Sequence, residues 1–175
     1  MIDRLYDIDT LTLPERIAGD RMLEQFLNNS KMKQAIKDDH SLHLFNSFTV
    51  HAENEDVAKD FFKYLYSIRC PYTTTIESFN TEDGCSDGCF REFIHGEELA
   101  HEECDARGRI LFNEDSIRNL IDTFKSGDME AMQKACEKES QILRKVYPDW
   151  KQIHHDEKLW EEIDNLRIAV ALENS

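Results

Sequence analysis

Between Leu42 and Phe79 the hydrophobic period of this chain switches from two to helical and back. Leu42, Leu44, Phe48 and Val50 fall on one side of an extended segment, and His43, Ser47, Thr49 and His51 on the other. That is the pattern of a half-buried strand. Asn54 then precedes two acids, Glu55 and Asp56, as a helix N-cap does. Val57, Phe61, Tyr64, Leu65 and Ile68 recur at helical spacing until Cys70-Pro71 halts them. Tyr72 to Phe79 is rich in β-branched residues and reads as a second strand. Strand, helix, strand is a βαβ unit. Its two strands belong to one sheet, parallel or nearly adjacent, with a right-handed crossover.

The flanks read as helices. Thr12-Leu13-Pro14-Glu15 has the form of a capping box, followed by Ile17, Met22, Leu23, Phe26 and Leu27 at helical spacing. A short second helix over Lys31–Lys37 is expected. Asn113 caps a helix carrying Ile117, Leu120, Ile121 and Phe124, and Gly127 ends it. Asp128 caps the next, with Met129, Met132, Cys136, Leu143 and Val146 on one face and Pro148 beyond it. Asp156 caps a last helix with Leu159, Trp160, Ile163, Leu166 and Val170. Ile168, Val170 and Leu172 also alternate, so 167–172 fits an edge strand; helix is the preferred reading.

The expected fold is therefore α+β: a small sheet built on a βαβ unit, flanked by N- and C-terminal helices. A ferredoxin-like arrangement is the leading candidate. The order of elements over residues 44–112 resembles that of small acidic regulators of ribonuclease E in pattern, without a shared motif. One domain over 1–175 is expected. It comprises a helical segment 1–40, an α/β core 41–112 with an insertion at 80–108, and C-terminal helices over 113–175.

The insertion differs from its surroundings. It contains Gly84, Gly88, Gly96 and Gly108, four of the six glycines, and three of the five cysteines. Phe90, Phe93 and Ile94 suggest a short strand, Gly96–Glu103 one or two helical turns, and Arg109–Phe112 a further strand. Residues 77–105 contain ten acids against one base, Arg91, a charge of −9 out of −15 for the whole chain. Charge needed for solubility alone would be spread. Acids interleaved with Phe90, Phe93 and Ile94 instead point to a surface for a basic protein partner. Glu82, Asp83, Asp87, Glu92, Glu97, Glu98, Glu102, Glu103 and Asp105 are the candidate contacts. Such a surface inhibits a nucleic-acid-handling enzyme by mimicking phosphate charge. A solvated acidic face is the bland alternative. Direct nucleic-acid binding is disfavoured by the net charge.

The same segment spaces zinc-type donors as Cys85-x3-Cys89-x5-His95-x5-His101-x2-Cys104. Cys85, Cys89, His101 and Cys104 form the candidate set, with His95 as a substitute. Four protein ligands close a site and make it structural; three leave it open for catalysis. The alternative function is thus a zinc enzyme or a zinc-stabilised interaction module. The surrounding acids disfavour thiolates, and hence cysteine nucleophiles. Glu98-x-x-His101 lacks the second copy that a di-iron site needs. The residues from Asp83 fail the EF-hand pattern, with Ile94 at its twelfth position. No phosphate-binding or nucleophile-elbow motif occurs. His43, His51, His154 and His155 read as surface residues.

An odd cysteine count argues against a disulfide framework; Cys136 reads as core and Cys70, before Pro71 at an element boundary, as structural. No apolar run reaches the roughly 18 residues of a membrane span, and the N-terminus lacks signal-peptide form. The expectation is a non-catalytic regulatory protein of the cytoplasm.

Overall fold

A computed structural model of the chain describes residues 4–30, 32–46, 55–80, 86–96, 98–105 and 109–175. Its centre is a six-stranded sheet in the order β2-β3-β1-β4-β5-β6. The strands are β1 (Arg4–Pro14), β2 (Met32–Ile36), β3 (Ser41–Asn46), β4 (Tyr72–Asn80), β5 (Ser86–His95) and β6 (Glu98–Cys104). Every neighbouring pair is antiparallel. The helices are α1 (Arg21–Asn29), α2 (Glu55–Ser67), α3 (Glu114–Ser126), α4 (Met129–Val146), α5 (Trp150–His155) and α6 (Glu157–Glu173).

The βαβ unit is present as β3-α2-β4, but it is split. Both β3 and β4 run antiparallel to β1, so they are parallel to each other with β1 between them. β1-α1-β2 repeats the device around β3.

The N-terminal 40 residues depart from the helical expectation. Thr12 lies inside β1, so Thr12–Glu15 is no capping box; Asp20 caps α1 instead, accepting from the Met22 amide. Residues 32–36 form β2, not a helix. The alternation of β1 is hidden in the sequence because its register against β4 shifts between Ile8 and Thr10. That irregularity lets Ile8 and Leu11, three positions apart, both be buried.

Leu11, Leu13, Leu42 and Leu44 have no exposed surface and meet Leu23 and Phe26 of α1, Phe61 and Leu65 of α2, and Trp160 and Ile163 of α6. Phe26 stacks on Phe61 with ring centroids 4.9 Å apart. Thr73, Thr74 and Thr75 are consecutive and all buried, so the middle of β4 is covered on both faces. Two of their hydroxyls are satisfied by neighbouring strands, Thr73 donating to the Glu92 carbonyl and Thr74 to that of Thr10. A smaller cluster of Phe93, Ala100 and Val146 seats α4 on the opposite face at the β5–β6 end.

Three further expectations are corrected. Residues 98–103 are strand rather than helical turns, because Gly96 adopts φ +62° and turns the chain straight back. Ile110 makes only an isolated bridge to Cys104, in place of a strand over 109–112. Cys136 is exposed rather than core. The stretch 167–172 is helical, within α6. Asn54 and the strand positions 47–51 lie outside the described residues. No helix among the described residues is long and apolar enough to cross a membrane.

Candidate functional site

Within the acidic segment, β5 and β6 form the terminal hairpin of the sheet. β5 and β6 pair from Cys89↔Cys104 to His95↔Glu98, and β6 is the last strand in the order. Side chains alternate across this ribbon, so its acids divide between two faces. Glu92 and Glu103 share a face with Phe90, Ile94 and His101. Glu98 and Glu102 share the other with Arg91, Phe93 and Ala100. Glu98 and Glu103 are exposed and Glu102 is half-exposed. Glu92 bonds to Nδ1 of His101 at 2.7 Å, and Asp105 accepts from Arg109 at 2.6 Å. Glu82, Asp83, Glu97 and the side chain of Asp87 lie outside the described residues.

Arg91, the one base of the segment, faces α4. Its Nε donates to the Val146 carbonyl at 2.9 Å and its guanidinium lies 4.5 Å over the Tyr147 ring. Burial lowers its pKa from the ordinary value. Leu99, by contrast, is 60% exposed among the acids of the outermost strand.

The expected zinc ligands are only partly brought together. Cys89 and Cys104 stand directly opposite one another in register. His101 projects from the other face, stacked on Phe90 with centroids 4.8 Å apart. His95 is six residues along β5 from Cys89, about 20 Å at strand rise. Cys85 lies outside the described residues.

A second grouping was not foreseen. Glu15 opens the 3-10 turn that follows β1, His40 sits at the tip of the β2–β3 connection, and His154 and His155 end α5. The two C-terminal histidines are thus helical rather than loop residues. The Glu15 amide donates to the His40 carbonyl at 2.9 Å, and the side chains meet again at Oε2 and Nδ1, 2.8 Å apart. The His40 ring stacks on His154 at 4.4 Å, while His155 lies edge-on to both, at 5.3 and 5.0 Å. Burial, then the neighbouring His40 and His155, push the His154 pKa down and favour its neutral imidazole. Its Nδ1 is buried without a hydrogen-bond partner among the described residues.

The chain matches no family model, no curated protein and no solved structure. The hairpin offers negative charge on both faces of the terminal ribbon, one of them packed in part against α4, with its base turned toward that helix. The histidine grouping offers nitrogen and oxygen donors converging from three elements. Sequence spacing could not show it, since residues 15, 40 and 154 meet only through the fold. The sole sequence hint is the His154-His155 doublet.

Elsewhere, His43 faces away from the main core. It is half-buried rather than solvated, with Nδ1 3.1 Å from the Thr12 hydroxyl. Burial first, then Lys37, lowers its pKa.

Proposed function

We propose that this chain is a non-catalytic binding protein whose β5–β6 hairpin docks on a basic surface of a protein partner. One observation carries the reading: of the acids that give residues 77–105 a charge of −9, Asp87, Glu92, Glu98, Glu102 and Glu103 belong to the terminal hairpin of the sheet and Glu77 to the strand beside it. Exposed acids on the terminal strand of the sheet steer a basic partner through long-range attraction. A groove that normally takes a nucleic-acid backbone has the complementary charge, so occupying it inhibits the enzyme by mimicry. The order β4-β1-β3-β2 of the first four strands, with α1 and α2 as crossovers, supports a ferredoxin-like core that displays the hairpin.

The test is binding to basic proteins of the host at low and at high salt. Wild type is compared with a variant carrying Glu98→Gln, Glu102→Gln and Glu103→Gln. Capture that weakens with salt, and weakens again in the variant, supports the reading. Capture insensitive to both refutes it.

A second reading rests on the register of Cys89 against Cys104, which places two thiols side by side on one face. A zinc held there orders the hairpin that displays the acids. Elemental analysis of gently purified protein, with a Cys89→Ser/Cys104→Ser variant alongside, tests it. Zinc near one equivalent that disappears in the variant supports this reading. Less than about a tenth of an equivalent excludes it.

A further inference from the structure

Glu15, His40 and His154 come from three separate elements, and each offers a ligand atom within 4.8 Å of those of the other two. We propose that they form a binding site for a divalent transition cation of the zinc class, separate from the acidic hairpin. Two imidazoles and a carboxylate are a donor set for such ions, and three protein ligands leave a coordination position for water. His155 stands close enough to supply a fourth donor after a rotamer change.

The fold holds these donors in place. Glu15 and His40 are joined twice, through backbone and through side chain. His40 is held at φ +61°, a conformation that non-glycine residues seldom adopt, although histidine does so more than most. The buried Nδ1 of His154 is a lone pair or proton that no group among the described residues meets. A metal ion, with any proton on that nitrogen lost, satisfies it. The His40 and His154 rings are near-parallel, 19° between planes. Convergence of both in-plane lone pairs on one ion requires one ring to turn out of this stack. Arg16 also faces the cluster, acting electrostatically on His154. Its guanidinium is engaged by the His154 carbonyl at 3.3 Å and by Glu157 at 3.0 Å, and lies 4.9 Å over Trp160.

The experiment is titration of the full chain with Zn2+ by calorimetry, and with Co2+ by visible absorption. It uses wild type, His40→Asn, His154→Gln and Cys89→Ser/Cys104→Ser. Asparagine tolerates the positive φ at position 40, so His40→Asn removes the ligand with little backbone strain. The metal-free thermal midpoint of each variant reports folding. The site predicts one equivalent bound by wild type and by the cysteine variant, and an affinity loss of about tenfold or more in each histidine variant. Absence of saturable binding overturns the proposal. So does binding undiminished in both histidine variants, or lost in the cysteine variant, which assigns the ion to the hairpin.

Discussion

The hydroxyl of Tyr64 donates to Oδ2 of Asp20 at 2.6 Å, while the other oxygen of that carboxylate caps α1 through the Met22 amide at 2.8 Å. One side chain therefore starts α1 and ties it to α2, with Arg167 of α6 3.4 Å away. Tyr64→Phe removes one bond to a charged acceptor, at a cost of about 1.5 kcal/mol. Asp20→Ala removes that bond and the cap together, adding about 1 kcal/mol. Urea unfolding of both variants and of the double variant gives the coupling between them. Costs that simply add leave the link between α1 and α2 without energetic content.

Stability falls on the alkaline side for a stated set of groups. Burial raises the Cys70 thiol from 9.0 to about 12 and the Tyr72 hydroxyl from 10.0 to about 12. Burial, and then the bond to Asp20, raises Tyr64 as well. A raised pKa means the folded chain keeps a proton that the unfolded chain has released. The contribution is whole below pH 9, declines first through Cys70, then through the tyrosines above pH 10, and is gone beyond the folded values. Thermal midpoints measured from pH 8 to pH 11 should drop progressively. Cys70→Ala should lower the midpoint at pH 8 and flatten its slope between pH 9 and 10. An unchanged slope would mean that the thiol does not contribute.

Which elements were legible in the sequence follows from how local their signals are. β3, α2 and β4 each contain a local pattern, so Leu42 and Leu44 read as one strand face and Phe61 and Leu65 as a helix stripe, and all four lie in the core. The caps at Asn113, Asp128 and Asp156 are equally local, and each accepts from an amide three residues on. β1 was missed because its irregular register breaks the period on which the reading depends. β6 was missed because Glu and Ala favour helix intrinsically, while the Gly96 turn and pairing to β5 decide otherwise. Local charge density was readable, but its division between two faces of a ribbon was not. The Glu15–His40–His154 grouping joins residues up to 139 positions apart, a separation that no spacing rule covers.

Burial rather than hydrophobicity decides the cost of losing a leucine. Leu44 is 0% exposed beneath α1 and α2, and Leu172 is 72% exposed on α6. Leu44→Ala should cost about 2 to 5 kcal/mol in chemical denaturation. Leu172→Ala should stay within about 0.5 kcal/mol. Comparable costs would contradict the placement of the core between the sheet and α1, α2 and α6.

α3 is amphipathic, yet none of its residues is buried; Ile117 and Ile121 are each 46% exposed and Phe124 is 71% exposed. A helix with so little buried apolar surface opens at low free energy. Its amides should exchange with deuterated solvent well before those of Leu11 and Leu13 in β1. Mass spectrometry of peptides from a timed exchange series checks this. Equal protection in α3 and β1 would require contacts that cover the Ile117–Phe124 stripe in solution.

Thiol chemistry ranks three cysteines. Cys136 is exposed on α4, Cys104 is buried on β6, and Cys70 is buried with its pKa pushed up to about 12. Only the thiolate attacks an alkylating reagent, and only where the reagent can reach it. At pH 8 a maleimide or iodoacetamide should modify Cys136 first. Cys70 should resist until the chain is denatured, since burial suppresses both its ionisation and its access. Peptide mapping at increasing times gives the order. Modification of Cys70 at a rate near that of Cys136 would show that the end of α2 opens readily, contrary to the packing of Ile68 and Cys70 in the core.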